Sequence, residues 1–224
     1  MPDGTTDAAG ALSDATWSRF CAAPHLLGPT PGHRAQWAAG RVDYAVWAVR
    51  LTSEAVSQRI AALQALLGDW MHAIPPADFH ITTWVAGFPT HALPTRSDDI
   101  SEADLERQAA TLARHPPFRL GIGGANSFTT ASFLEVIDLD GTLASLRNSL
   151  TRTGPPELRF APYIPHVTLG TATGNHPTAA IQACLQPHRQ LPLIEVQVSQ
   201  VEEVRFDARQ SGAPLHTHRT VHLS

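Results

Sequence analysis

Two short stretches decide how this chain reads: FHITTW at Phe79–Trp84 and PHVTLG at Pro165–Gly170. Both follow prolines and place a histidine and a threonine two residues apart in apolar, β-prone surroundings. In an extended strand residues i and i+2 share a face, so His80 would stand beside Thr82 and His166 beside Thr168. Ile81 and Val167 would then point into a core. By the same alternation Trp84, at i+4 from His80, is expected on the histidine side.

The segments around these motifs supply the fold class. Val42–Leu51 is rich in β-branched and aromatic residues and reads as a strand. Val56, Ile60, Leu63, Leu66 and Leu67 recur at helical spacing, which predicts a helix from Glu54 to about Trp70 before Pro75 and Pro76 break the chain. Ser101–Arg114, opening SEAD in the manner of a capping box, predicts a second helix. Strands are expected at Phe118–Ile122 and Ser132–Leu139 around a glycine-rich bend from Gly121 to Thr130, then a helix at Thr142–Thr151. A strand at Tyr163–Thr171 and a short helix at Thr178–Leu185 follow. Ile194–Phe206 alternates as one half-buried strand, and Thr217–Leu223 reads as an edge strand. This order fits an α+β fold better than a doubly wound sheet.

Residues 1–40 differ in character, with Gly, Pro and Ala, weak periodicity and the loop-like LLGPTPG at Leu26–Gly32. They read as a partly ordered N-terminal extension with a short helix at Asp14–Ala22, ahead of a domain spanning 41–224. The chain of 224 residues has a net charge of -4 and 16% charged residues, against roughly 25% in soluble domains generally. That balance argues against extended nucleic-acid binding, which rests on many cationic contacts to phosphates. It leaves open a small nucleotide or an RNA terminus as ligand. Cys21 and Cys184 have no zinc-like spacing and read as small apolar residues in a reducing compartment. No signal peptide or run of about 20 apolar residues is legible, so no membrane partner and a cytoplasmic location are expected. Oligomeric state is not legible.

Two histidines with adjacent hydroxyls constitute equipment for phosphoryl chemistry. An imidazole moves protons near neutral pH, and a threonine hydroxyl donates to a phosphate oxygen. Facing one another, the pairs would supply an acid, a base and two phosphate ligands, a set that calls for no cofactor of its own. The chain has 12 histidines, and the tripeptide occurs twice more, at His176–Thr178 and His218–Thr220. Pro177 spoils the first as a central strand, and Arg219 stands where the second needs a core residue. Two rival readings remain at this level. One is a nucleotide-binding module without turnover. The other is a His-rich metal-binding protein using His216, His218 and His222. An interaction protein that uses the extension has only composition behind it.

Paired H-x-T motifs on strands, roughly eighty to ninety residues apart, resemble the 2H phosphoesterase superfamily, which includes 2'-5' RNA ligase-like proteins and RNA 2',3'-cyclic phosphodiesterases. PHVTLG is the nearer match. FHITTW departs after its threonine, where the family has leucine. The resemblance covers about residues 41–224, and the extension is not typical of it. It implies a bilobal α+β fold in which two antiparallel-sheet lobes, related by pseudo-two-fold symmetry, enclose a central cleft, with helices on the outer faces. It implies hydrolysis of nucleotide or RNA-end phosphodiesters without a metal, often opening a 2',3'-cyclic phosphate to a 2'-phosphate. His80 and His166 would be the catalytic acid and base, and Thr82 and Thr168 the phosphate ligands. Tyr163 and Trp84 are candidates for stacking on a base, and Arg159 for an additional phosphate contact.

Overall fold

The computed structural model describes residues 4–158 and 162–224, and only the backbone of residues 4–9. Arg159 lies outside the described residues. The elements run α1 (Gly4–Ala22), α2 (His33–Ala38), β1 (Asp43–Arg50), α3 (Glu54–Leu67), β2 (Met71–Ala73), β3 (His80–Thr90), β4 (Asp99–Ser101) and α4 (Glu102–Leu112). They continue with β5 (Phe118–Ser127), β6 (Ala131–Asp138), α5 (Thr142–Leu150), β7 (His166–Ala172), α6 (Thr178–Leu185), β8 (Ile194–Val198), β9 (Gln200–Asp207) and β10 (His216–His222). The fold is a mixed α+β one, built on a curled sheet that is antiparallel apart from the β3–β4 pair.

The strand order is β10-β9-β1-β3-β7-β6-β5-β8, with β2 beside β7 and β4 beside β3. Two sets of four strands therefore meet where β3 pairs with β7, and the register there is Ile81 opposite Val167. The expected single strand at Ile194–Phe206 is in fact two. β8 pairs with β5 in one set, and β9 pairs with β1 and β10 in the other. Only Ser199 separates them, so the far ends of the strand order come together and the sheet must curl. Alternation along the segment could not reveal this, because β8 and β9 each keep a period of two.

Residues that alternate inward from the strands form the main core with the helices. Ile81, Val167, Leu134 and Trp47 are fully buried there with Ile60 of α3, Leu105 of α4, Leu146 of α5 and Ile181 of α6. Ser101 caps α4 as the sequence suggests, accepting from the Asp104 amide at 3.1 Å. The glycine-rich bend does not form, and β5 runs on to Ser127 with a register shift between Ile122 and Ala125. Its glycines answer to close packing: a Cβ on Gly124 would lie 2.0 Å from the Arg189 carbonyl oxygen.

The helix expected at Asp14–Ala22 lies within the longer α1. Alanine is the best helix former, and Thr16 and Phe20 give the helix a short buried stripe at i, i+4. The extension is packed against the rest of the chain. Phe20 and Leu26 join the main core, while Ala38 and Trp37 of α2 pack with Tyr44 and Phe88 in a second cluster. Cys21 and Cys184 are both free thiols. No helix among the described residues is long and apolar enough to cross a membrane.

Candidate active site

The register of β3 against β7 assembles the site. With Ile81 opposite Val167 in an antiparallel pair, His80 comes opposite Thr168, and Thr82 opposite His166. All four then share the face away from the main core, with the two histidines on a diagonal. Diagonal neighbours of this kind lie about 7–8 Å apart, within reach of one phosphate. The motif residues are partly accessible, while Ile81 and Val167 between them are fully buried.

The histidines are held alike. Nδ1 of His80 lies 2.7 Å from the Asp78 carbonyl oxygen, and Nδ1 of His166 lies 2.7 Å from that of Ile164. A carbonyl can only accept, so each Nδ1 carries the proton, and Nε2 is the nitrogen whose protonation can change. The short turn at Pro76–Asp78 presents the first of these carbonyls. The Asp78 carboxylate meanwhile accepts from the Leu215 amide at 3.1 Å, tying in a loop that borders the site. His166 also stands against two rings, Phe128 at 5.4 Å and Phe133 at 5.1 Å between centroids.

Each motif strand slips register just after its threonine. Thr82 pairs with Ala48 and Trp84 with Trp47, so Thr83 is an extra residue on β3. Thr168 pairs with Phe133 and Gly170 with Ser132, so Leu169 is extra on β7. A bulge of this kind re-aims the side chains that follow it. On β3 the Thr83 hydroxyl is buried and donates to the Trp47 carbonyl at 2.9 Å. The next residues to face the cleft are accordingly Val85 and Thr171.

This corrects the expectation for Trp84. It is 1% exposed in the main core and does not line the cleft, because the bulge at Thr83 reverses the strict alternation. Tyr163 is likewise differently engaged from a base-stacking residue. Its hydroxyl donates to the Thr82 carbonyl at 2.9 Å, and the Arg147 guanidinium sits 3.5 Å from its ring centre. Arg147 in turn pairs with Glu157 at 2.5 Å and donates to the Thr83 carbonyl. Tyr163 and Arg147 thus brace the segment entering β7 against the bulge of β3.

A cleft of ≈ 490 Å³ opens over the His80 side of the motif face, lined by His80, Thr82, Thr168 and Thr171 but not by His166. Arg34 and His72 also line it, and the sequence reading missed both. Neither had a local signal. Arg34 comes from α2 in the extension, where its guanidinium donates to the Ala208 carbonyl at 3.2 Å, and His72 comes from the three-residue strand β2. Among the described residues no group of three or more His, Cys, Asp or Glu side chains is arranged to hold a metal. The run His216, His218 and His222 on β10 forms no such group.

Comparisons with known proteins agree with this fold. The family model described as the 2'-5' RNA ligase superfamily matches residues 52–210. No curated protein matches the chain. Among solved structures, TT0787 of Thermus thermophilus aligns with a TM-score of 0.57 and 20% identity, over 80% of this chain and 97% of its own. The E. coli LigT complexed with 3'-AMP gives a TM-score of 0.58 at 15% identity, over 82% of this chain and 99% of its own. A LigT structure with ATP gives 0.53 at 14%, with 82% and 99% covered. With its family model matched over most of its length and this fold shared, the chain belongs to the 2'-5' RNA ligase (2H phosphoesterase) superfamily.

Proposed function

We propose that this protein is a phosphodiesterase that hydrolyses nucleotide or RNA-end phosphodiesters, 2',3'-cyclic phosphates above all, with His80 and His166 as acid and base and no metal in the reaction. The observation that carries this reading is the pairing of Ile81 with Val167, which sets both H-x-T units diagonally on one accessible face. One imidazole takes a proton from water through Nε2 as the water oxygen bonds to phosphorus. The other gives its Nε2 proton to the ribose oxygen as the opposite P–O bond breaks. Water is thereby added across one ester bond, leaving a phosphomonoester and a hydroxyl. Thr82 and Thr168, each opposite the other motif's histidine, donate to the non-bridging oxygens where charge develops. Arg34 adds a positive charge to the cleft, and His72 a further hydrogen-bonding side chain. The 3'-AMP and ATP complexes of E. coli LigT support a nucleotide ligand here.

The test is turnover of a nucleoside 2',3'-cyclic phosphate with and without chelator. Turnover that survives chelation, and that falls by about 10²-fold or more in both His80→Ala and His166→Ala, is the expected result. Loss on chelation would favour metal chemistry. Tight nucleotide binding without turnover would leave a binding module.

A further inference from the structure

We infer that α1 walls a second substrate subsite beside His166, one that receives an uncharged nucleoside arm of the phosphodiester. This rests on the phosphodiesterase reading and specifies its substrate as a compact, two-armed diester. A separate cavity of ≈ 480 Å³ lies between α1 and the sheet. It is bordered by Phe133 and Glu135, which stand opposite Thr168 and His166 in the β6–β7 ladder and so share their face. Its size lies within the range of small-ligand sites. A phosphate held between the histidines would have the first cleft on the His80 side and this cavity on the His166 side.

The wall belongs to the part of the chain that precedes the family match at residue 52. It is tied down by several contacts. The Ser13 hydroxyl donates to Glu135, the Asn126 amide donates to the Ser13 carbonyl at 3.1 Å, and Arg189 bonds Glu135 at 2.5 Å and Asp14 at 3.3 Å. The same guanidinium lies 4.7 Å from the centre of the Trp17 ring and fixes it at the cavity edge. Arg189 is thus committed, and with Asp14 and Glu135 beside it the cavity carries one more carboxylate than cation. A second phosphate would be repelled there. The first cleft is the opposite case, with the cation Arg34 and, among the described residues, no carboxylate in its lining. A half-buried indole and the exposed amides of Gln186 and Gln190 suit a flat, neutral heterocycle with donors and acceptors on its edge.

Calorimetric titration in a His80→Ala background, where the diester is not consumed, tests this with adenosine 2'-monophosphate, the 2'-5'-linked dinucleoside monophosphate, and the same dinucleoside with a phosphate on its second arm. The uncharged second arm is expected to tighten binding about ten-fold over the mononucleotide, as one stacked base does, and the added phosphate to cancel that gain. Trp17→Ala should remove most of the gain. The double change Gln186→Ala and Gln190→Ala, on exposed side chains that do not bear on folding, should remove part of it. No gain from the second arm, or a gain that both variants retain, would overturn the subsite. Turnover of cyclic phosphates with no second-arm gain would sink the subsite and spare the phosphodiesterase reading. A Trp17-dependent gain in a protein that turns nothing over would do the reverse.

Discussion

Replacing Tyr163 with phenylalanine removes one oxygen atom and separates two accounts of this residue. In the structure that oxygen donates to the Thr82 carbonyl at 2.9 Å, joining the approach to β7 with the motif of β3. Apart from this bond, the two motif strands meet in register only at Ile81 and Val167. A single hydrogen bond of this kind contributes about 0.5–1.5 kcal/mol. For a chain of this size that is a loss of about 2–4 °C in Tm per kcal/mol. Tyr163→Leu also loses the ring beneath Arg147, a further loss of about 0.5–2 kcal/mol. Denaturant unfolding of both variants, followed by kcat and KM on a cyclic phosphate, gives the comparison. We expect Tyr163→Phe to lose stability by about 1 kcal/mol with KM little changed. If Tyr163→Phe were as stable as the parent while Tyr163→Leu raised KM, the bracing role would be wrong and the ring would be stacking on substrate.

Thr82→Ala and Thr168→Ala should each lower kcat less than loss of a histidine does, because they remove a phosphate donor and not a proton carrier; steady-state kinetics on the four single variants would rank them. Gly170→Ala would place a Cβ 2.8 Å from the His72 carbonyl oxygen and 2.9 Å from Met71 Cβ, so β2 must move off β7; a loss of about 1–3 kcal/mol is expected in denaturant unfolding. Burial alone would raise the Asp99 carboxyl, but hydrogen bonds from the Thr95 amide, Arg41, the Arg96 amide and the Thr95 hydroxyl outweigh it and hold the group at about 2, below its ordinary 3.8. A carboxyl depressed on folding stabilises above its unfolded value, and that contribution is lost as pH falls from about 4 towards about 2. Asp99→Asn should flatten this acid limb in a pH series of unfolding curves; an unchanged limb would mean the link is not Asp99.

How far the sequence reached is clearest at the motifs themselves. His80 with Thr82 and His166 with Thr168 were legible because a strand's period of two is a local property, and so were α5 and α6, whose apolar positions repeat over a turn or two. Alternation carries a residue to its face only while the ladder is regular. One extra residue at Thr83 put Trp84 in the core, and the single residue Ser199 divided a uniform pattern between two strand sets.

The chemistry on offer is written locally: two imidazoles, two hydroxyls, and the strands that hold each pair together. Tertiary structure alone decided that the pairs meet. Ile81 lies beside Val167 because both side chains are buried in the one core the sheet shares with its helices, and nothing local to either strand encodes that register. The same holds for Arg34, His72 and α1, which reach the motif face from segments whose own patterns name no partner. Side-chain periodicity is written within a few residues, whereas a cleft is the sum of packing choices made across the whole chain.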